Sequence, residues 1–275
     1  MHYATLLLAL FTFIACGNDP EANAPKGVDT MLPDGVVDAD AATVNNGAEL
    51  IVTPIEHASA VLSYGDKTIH LDPVGGIEPY ADYSFPDLIL LTDIHPDHMD
   101  PETLEMLDTD DNEIIAPQAV AEKLPAAWKD RTSVLANGES TKRFGLTIEA
   151  VPMYNLRTEA LKFHPKGRGN GYVLTTANGT RYYFSGDTED TPELRNLENI
   201  DVAYVSMNLP YTMPVDAAAS GVIEMGPDKV IPYHYRGKDG LSDTQRFKEL
   251  VNAGNQDIEV ELVDWYPNRE AAATE

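Results

Sequence analysis

The apolar run Leu88-Ile89-Leu90-Leu91 leads without a break into Thr92-Asp93-Ile94-His95-Pro96-Asp97-His98. A continuous apolar stretch of this kind is a strand buried on both faces, inside a sheet that other layers cover. Two aspartates and two histidines then crowd into the loop that leaves it, where side chains can be aimed into a cleft. Imidazole nitrogen and carboxylate oxygen are the donors that zinc and related divalent ions take. A solvated acidic loop ending in a helix cap accounts for Asp100 before Pro101. It does not account for histidines interleaved with aspartates, so the segment reads as part of a metal site. The sole cysteine, Cys16, excludes both an intrachain disulfide and a cysteine-rich zinc site.

The surrounding pattern gives the fold class. Residues 49–56, 60–64 and 68–71 read as short strands, the last two joined by a turn at Gly65-Asp66. Further strands are expected at 87–91, 113–116, 146–151, 172–176 and 181–184. Asn178-Gly179 is a hairpin signal, because both residues tolerate positive φ. Helical segments at 118–124, 193–197, 215–225 and 244–253 then alternate with strands at 202–206, 230–232 and 258–263. Early strands followed by alternation argue for a layered α/β domain. No repeat of solenoid period occurs.

The N-terminus reads differently. Residues 4–15 are almost wholly apolar, and Ala15 is a small residue just before Cys16. The run is shorter than the ~20 apolar residues of a transmembrane helix and fits a signal peptide. It resembles a bacterial lipoprotein signal, with an ordinary cleaved signal as the alternative. Residues 17–47 are rich in Ala, Asp, Asn, Gly and Pro and read as a flexible acidic tether. Asp34, Asp38 and Asp40 near Gly35 lack the terminal Glu of a calcium loop. The expected organisation is signal peptide 1–15, lipidated Cys16 and linker 16–47, folded domain 48–268, and tail 269–275. The protein is thus expected to be exported and anchored at Cys16, facing periplasm or cell exterior. The lipid is its membrane contact.

The chain carries 45 acidic against 19 basic residues, a net charge of −26. Such a field repels nucleic-acid phosphates in the absence of a basic run. Nucleic acid is therefore not an expected partner.

The Asp93–His98 segment resembles the His-x-His-x-Asp-His motif of the metallo-β-lactamase superfamily. Glu56-His57-Ala58-Ser59 and Ile69-His70-Leu71-Asp72-Pro73 resemble the opening of its ascorbate-6-phosphate lactonase-like branch. Gly186-Asp187-Thr188 and Pro232-Tyr233-His234-Tyr235 match later motifs of the superfamily. The resemblance implies a four-layer αββα sandwich with two facing mixed sheets. It also implies a hydrolase using metal-bound hydroxide on a lactone or phosphate-bearing small molecule.

One metal would take Asp97, His98 and His234, with Asp187 bridging to a second held by His95 and by Asp93. Asp97 is the expected catalytic group, positioning or deprotonating water. Asp93 stands where the superfamily usually has histidine. The histidine expected after the strand near Val151 is replaced by Asn155, and His164 is the other candidate for that place. His57 is a candidate for lining the cleft or supporting a ligand, His70 for packing, and Asp72 for bracing the loop. The cofactor is one or two divalent ions; zinc is favoured, and the harder donor Asp93 admits manganese or iron. Lys162, Lys166 and Arg168 form a cationic island that offers a site for an anionic substrate group, with Arg157, Arg236 and Lys238 as possible additions. The alternative functions are a phosphodiesterase or phospholipase on the same fold, and a lipoprotein that binds metal without turnover.

Overall fold

Residues 47–266 are described by the computed structural model. The expected signal peptide, Cys16, nearly all of the linker and the tail lie outside the described residues.

Two mixed sheets share one core. The first contains β1 (Leu50–Glu56), β2 (Ser59–Tyr64), β3 (Lys67–Leu71), β4 (Leu88–Leu90), β5 (Glu113–Ala116) and β6 (Thr132–Val134), paired in that order. Its first three strands are antiparallel and the rest parallel. The second runs β15 (Glu259–Val260), β12 (Lys229–Tyr233), β11 (Val202–Ser206), β10 (Arg181–Phe184), β9 (Gly169–Thr175), β8 (Leu146–Met153) and β7 (Ser140–Arg143). Strands β7 to β10 pair antiparallel, and β10, β11, β12 and β15 pair parallel. A small hairpin joins β13 (Arg236–Gly237) to β14 (Gly240–Leu241).

The continuous apolar run of β4 is explained by its two buried faces. Leu88 and Leu90 pack with Leu62, Ile148, Leu174 and Tyr183 in the core between the sheets. Ile89 and Leu91 point the other way, onto Leu104, Val120 and Trp128. Those residues belong to the helices α1 (Pro101–Met106), α2 (Gln118–Ala121) and α3 (Ala126–Lys129), which cover the outer face of the first sheet. Beyond α4 (Pro192–Arg195), α5 (Val215–Met225) and α6 (Thr244–Gly254) pack Val222, Phe247 and Val251 against the second sheet's cluster. This is the expected mixed α/β class with two mixed sheets. Among the described residues no helix is long and apolar enough to cross a membrane.

Local expectations hold in part. The start of α1 follows Asp100, whose side chain accepts from Glu102 N at 3.2 Å, with Pro101 in the first turn. At Asn178-Gly179 only Gly179 takes positive φ (+93°). Asn178 Oδ1 instead accepts from Thr180 N at 3.2 Å, and the connection is longer than a two-residue turn. The last strand is Glu259–Val260 rather than 258–263, because only those residues pair with β12.

Strand direction then fixes where function can lie. β1, β3 and β4 run one way in the first sheet, and β8, β10, β11 and β12 run one way in the second. The residues expected to carry chemistry sit just past these carboxyl ends: His57, Asp72, Asp93–His98, Asn155, Asp187 and His234. Ligands in open α/β sheets gather at such ends.

Candidate metal centre

His98 is held from behind. Its Nδ1 lies 2.8 Å from Asp72 Oδ2 and 2.9 Å from Thr92 Oγ1, and Thr92 N and Oγ1 both donate to the same Asp72 carboxylate. All three side chains are buried. With a proton on Nδ1 directed at Asp72, the opposite nitrogen, Nε2, presents its lone pair forward. A carboxylate behind a histidine ligand selects that tautomer and raises its basicity. The loop itself is closed by His98 N and Met99 N, both donating to His95 O.

Forward of His98, donors converge. Its Nε2 lies 3.2 Å from His234 Nε2 and 3.4 Å from Asp187 Oδ2. His234 Nε2 is also 3.2 Å from Asp187 Oδ1 and 3.5 Å from Asp97 Oδ2. A second group forms beside it. His164 Nε2 is 3.2 Å from His95 Nδ1, 3.7 Å from Asp93 Oδ2 and 3.1 Å from Asp187 Oδ2. The Asp187 carboxylate thus stands between two sets of nitrogens. Its backbone N donates to Met153 Sδ at 3.0 Å.

Of the two residues after β8 open for the second group, the geometry brings in His164. Asn155 commits its amide nitrogen elsewhere: Nδ2 donates to Ala160 O at 2.9 Å and Tyr211 O at 2.6 Å, while its Oδ1 is buried without a hydrogen-bond partner. His164 Nδ1 lies 3.1 Å from that same Tyr211 carbonyl, which leaves Nε2 facing Asp187 and His95. Asn155 and Tyr211 therefore set the position of His164.

Hydrogen bonding alone does not close this cluster. Asp187 Oδ1 and His234 Nδ1 are buried without a hydrogen-bond partner, and buried polar atoms left so are costly. Two imidazole Nε2 atoms face each other across the gap. Burial works to lower the His98 pKa, yet Asp187, Asp72 and Asp97 hold it well above its ordinary value. Burial works to raise that of Asp187, yet His234, His98 and His164 hold it well below the usual carboxylate range. Both shifts mark a place that favours positive charge. A divalent cation fits the donor set: His98, Asp187 and His234 form one group, His57, Asp97 and His234 another, and Asp93, His95 and His164 a third, which Asp187 reaches through His164.

Asp93 has another partner. Arg168 Nε donates to its Oδ1 at 3.0 Å and Nη2 to its Oδ2 at 2.8 Å, and the same Nη2 reaches Phe163 O. This corrects the expected cationic island. Arg168 is turned inward onto a buried carboxylate, and Lys166 pairs with Glu193 at 2.6 Å. Lys162 lies over the Phe163 ring, and Arg157 is committed to Glu189 at 2.6 Å. A cavity of about 510 Å³ opens over the metal-binding groups, and its cations are Arg236 and Lys238.

His57 borders this cavity, its Nε2 accepting from Arg236 Nη2 at 2.7 Å and its ring edge-on to His234 at 5.4 Å. Burial and the Arg236 charge lower its pKa, which keeps it neutral. His70 is packed, stacked on Tyr80 with ring centroids 5.0 Å apart. His57, Asp72 and His234 all adopt positive φ, at 48°, 42° and 46°. Such conformations cost about 1–3 kcal/mol each and collect at functional sites.

Sequence reasoning missed Thr92, Tyr211 and Asn208, whose Nδ2 is 3.3 Å from His234 Nε2. Their one sequence signal is position, just past the carboxyl ends of β4 and β11.

Comparison with known proteins follows the same lines. Residues 51–234 match the family model described as a β-lactamase superfamily domain. A UPF0173 metal-dependent hydrolase of Pyrococcus horikoshii is 30% identical over 197 residues, covering 68% of this chain and 86% of its own. A metal-dependent hydrolase structure from Parabacteroides distasonis is 36% identical with a TM-score of 0.71, covering 80% of this chain and 95% of its own. A metallo-β-lactamase fold protein from Bacillus subtilis, 14% identical with a TM-score of 0.62, covers 77% of this chain and 95% of its own and shares the fold.

Proposed function

Because the chain belongs to the metallo-β-lactamase superfamily, we propose that it is a metal-dependent hydrolase of a lactone or phosphate-bearing small molecule, with zinc as its metal. The observation that carries this is the Asp187 carboxylate standing between the nitrogens of His98 and His234 and that of His164. A divalent ion bound there supplies Lewis acidity, lowering the pKa of water and polarising a substrate oxygen.

The side chains provide the rest. Asp97 and Asp187 both border the cavity, but Asp97 is partly exposed while Asp187 is buried, so the Asp97 carboxylate is the more open of the two to a substrate. Burial opposes its ionisation, but His98 and His234 hold its pKa below the ordinary value. It therefore stays ionised, accepts a hydrogen bond from the attacking water and orients it toward the substrate. Asn208 Nδ2 stands 3.3 Å from His234 Nε2, and His98, fixed by Asp72 and Thr92, keeps its nitrogen in place without reorganising. Asn155 and Tyr211 do the same for His164.

Turnover of a panel of lactones, phosphodiesters and β-lactams, with zinc and with manganese, tests the reading. Lactone or phosphoester hydrolysis lost in Asp97→Ala and on chelation supports it. Asp97→Ala at the wild-type rate refutes the role of Asp97, and a protein that binds no metal after reconstitution refutes the whole. The proposal includes export and lipid attachment at Cys16. Mass spectrometry of the mature N-terminus decides that point: an unmodified start elsewhere overturns it.

A further inference from the structure

Besides the metal-binding groups, the cavity is lined by residues that carry a separate chemistry. Arg236 and Lys238 come from the β13–β14 hairpin, whose register pairs Arg236 with Leu241 and Gly237 with Gly240. That hairpin is pinned. Lys238 N donates to Leu209 O at 3.0 Å. A Cβ on Gly237 would lie 2.0 Å from the same oxygen, so only glycine allows the approach.

The two cations are presented, not consumed. Arg236 rests on the Tyr266 ring, 4.9 Å from its centroid, and uses Nη2 on the neutral His57. The carboxylate within ion-pair range is Glu56, at 3.9 Å, the weak edge of that range. Lys238 is exposed and makes no ion pair among the described residues. In a chain with 45 acidic residues against 19 basic ones, Lys166, Arg157 and Arg168 are taken up by Glu193, Glu189 and Asp93, and Lys162 lies over the Phe163 ring and does not border the cavity. Phe163 and Tyr211 meet edge-to-face, 5.2 Å between centroids, and give the same space an apolar surface.

We propose that Arg236 and Lys238 form a subsite for a carboxylate or phosphate of the substrate, with an apolar substrate body lying on Phe163 and Tyr211. A guanidinium presents a planar fork suited to both anions, and a neighbouring ammonium adds a point charge. The substrate class is thus a small amphiphilic acid whose hydrolysable bond lies over the metal-binding groups. This rests on the hydrolase reading for its orientation, but not for its binding.

Calorimetric titration of the full-length, metal-loaded protein tests the subsite without turnover. The probes are 4-phenylbutyrate, 3-phenylpropylphosphonate and the neutral 4-phenylbutanamide. The wild type binds at least one anion tenfold or more tighter than the amide, and whichever anion is tighter identifies the headgroup. The R236Q/K238Q protein loses that preference while its metal content is unchanged. Lys238→Gln alone, at an exposed position that cannot unfold the chain, weakens anion binding about threefold. Lys123→Gln, at an exposed residue that does not line the cavity, leaves it unchanged. An anion preference that survives both substitutions overturns the proposal, since the anion then sits on the metal. Equal binding of acid and amide by the wild type overturns it too. Anion binding through Arg236 and Lys238 in a protein that hydrolyses no lactone or phosphoester leaves the subsite standing and removes the proposed substrate reaction.

Discussion

Arg168 lays its guanidinium edge along the Asp93 carboxylate, Nε to Oδ1 at 3.0 Å and Nη2 to Oδ2 at 2.8 Å, across a sequence separation of 75. Asp93 is fully buried and stands beside His95 and His164. A protein cation therefore shares the carboxylate that the second group would offer to a metal.

Substituting Arg168→Met separates these roles. Removing one partner of a buried pair costs about 3–5 kcal/mol, so the chelated protein should melt well below the wild type. Zinc or manganese should restore more of that loss in the variant than it adds to the wild type, because the metal replaces the missing charge. Melting temperatures with and without metal check this; an equal metal-induced rise in both proteins counts against it.

Asp72→Asn tests the support of His98. Asparagine tolerates the positive φ of this position, so the backbone should survive. Its amide, however, no longer enforces a proton on His98 Nδ1. Metal affinity should fall about 10–100-fold, as read by competition with a chromophoric chelator, with little change in the far-ultraviolet dichroism.

Gly169→Ala should loosen the join between the site loop and the second sheet. The added methyl would lie 2.1 Å from Met153 Cε and 2.9 Å from Thr92 O. Met153 can swing aside, but it accepts the Asp187 N–H. The Thr92 carbonyl is backbone, held by Asn170 N at 3.0 Å. Overpacking of this kind costs about 1–3 kcal/mol. Urea unfolding should show a lower midpoint at unchanged slope, together with weaker metal binding.

His70 gives an acid limit that is separate from the metal groups. Burial lowers its pKa from 6.5 to about 4, opposed only by a backbone contact at Ser84, and neither ring nitrogen has a well-formed hydrogen bond. The folded state thus favours the neutral ring. Its contribution is complete above pH 6.5 and is lost as pH falls through that value toward 4 and below. The full effect is on the order of 3 kcal/mol. His70→Phe, which keeps a ring against Tyr80, should flatten stability between pH 6.5 and 4 in chemical denaturation; an unchanged slope there would show that other groups set it.

The sequence made the buried strands legible wherever both faces are covered, as in β4, and the start of α1 through Asp100-Pro101. It hid β6 and β7, whose residues are largely polar and partly exposed, so neither periodicity nor apolar content marks them. Asp97, His98, Asp187 and His234 were readable through the resemblance of their motifs, and the fold places each just past the carboxyl end of a strand. His164 was not separable from Asn155. Its place depends on a carbonyl, that of Tyr211, which lies 47 residues away. The partner of Asp93 was hidden for the same reason: a loop arginine looks solvated until the loop is folded back.

Three residues at the site, His57, Asp72 and His234, are held in the left-handed region that suits glycine. Glycine at any of them would relax the backbone while deleting the imidazole or carboxylate that the centre uses. At Asp72 that relief is opposed, because Thr92 N, Thr92 Oγ1 and His98 Nδ1 would lose their buried acceptor. The side chain that shapes the centre also holds its own strained backbone in place.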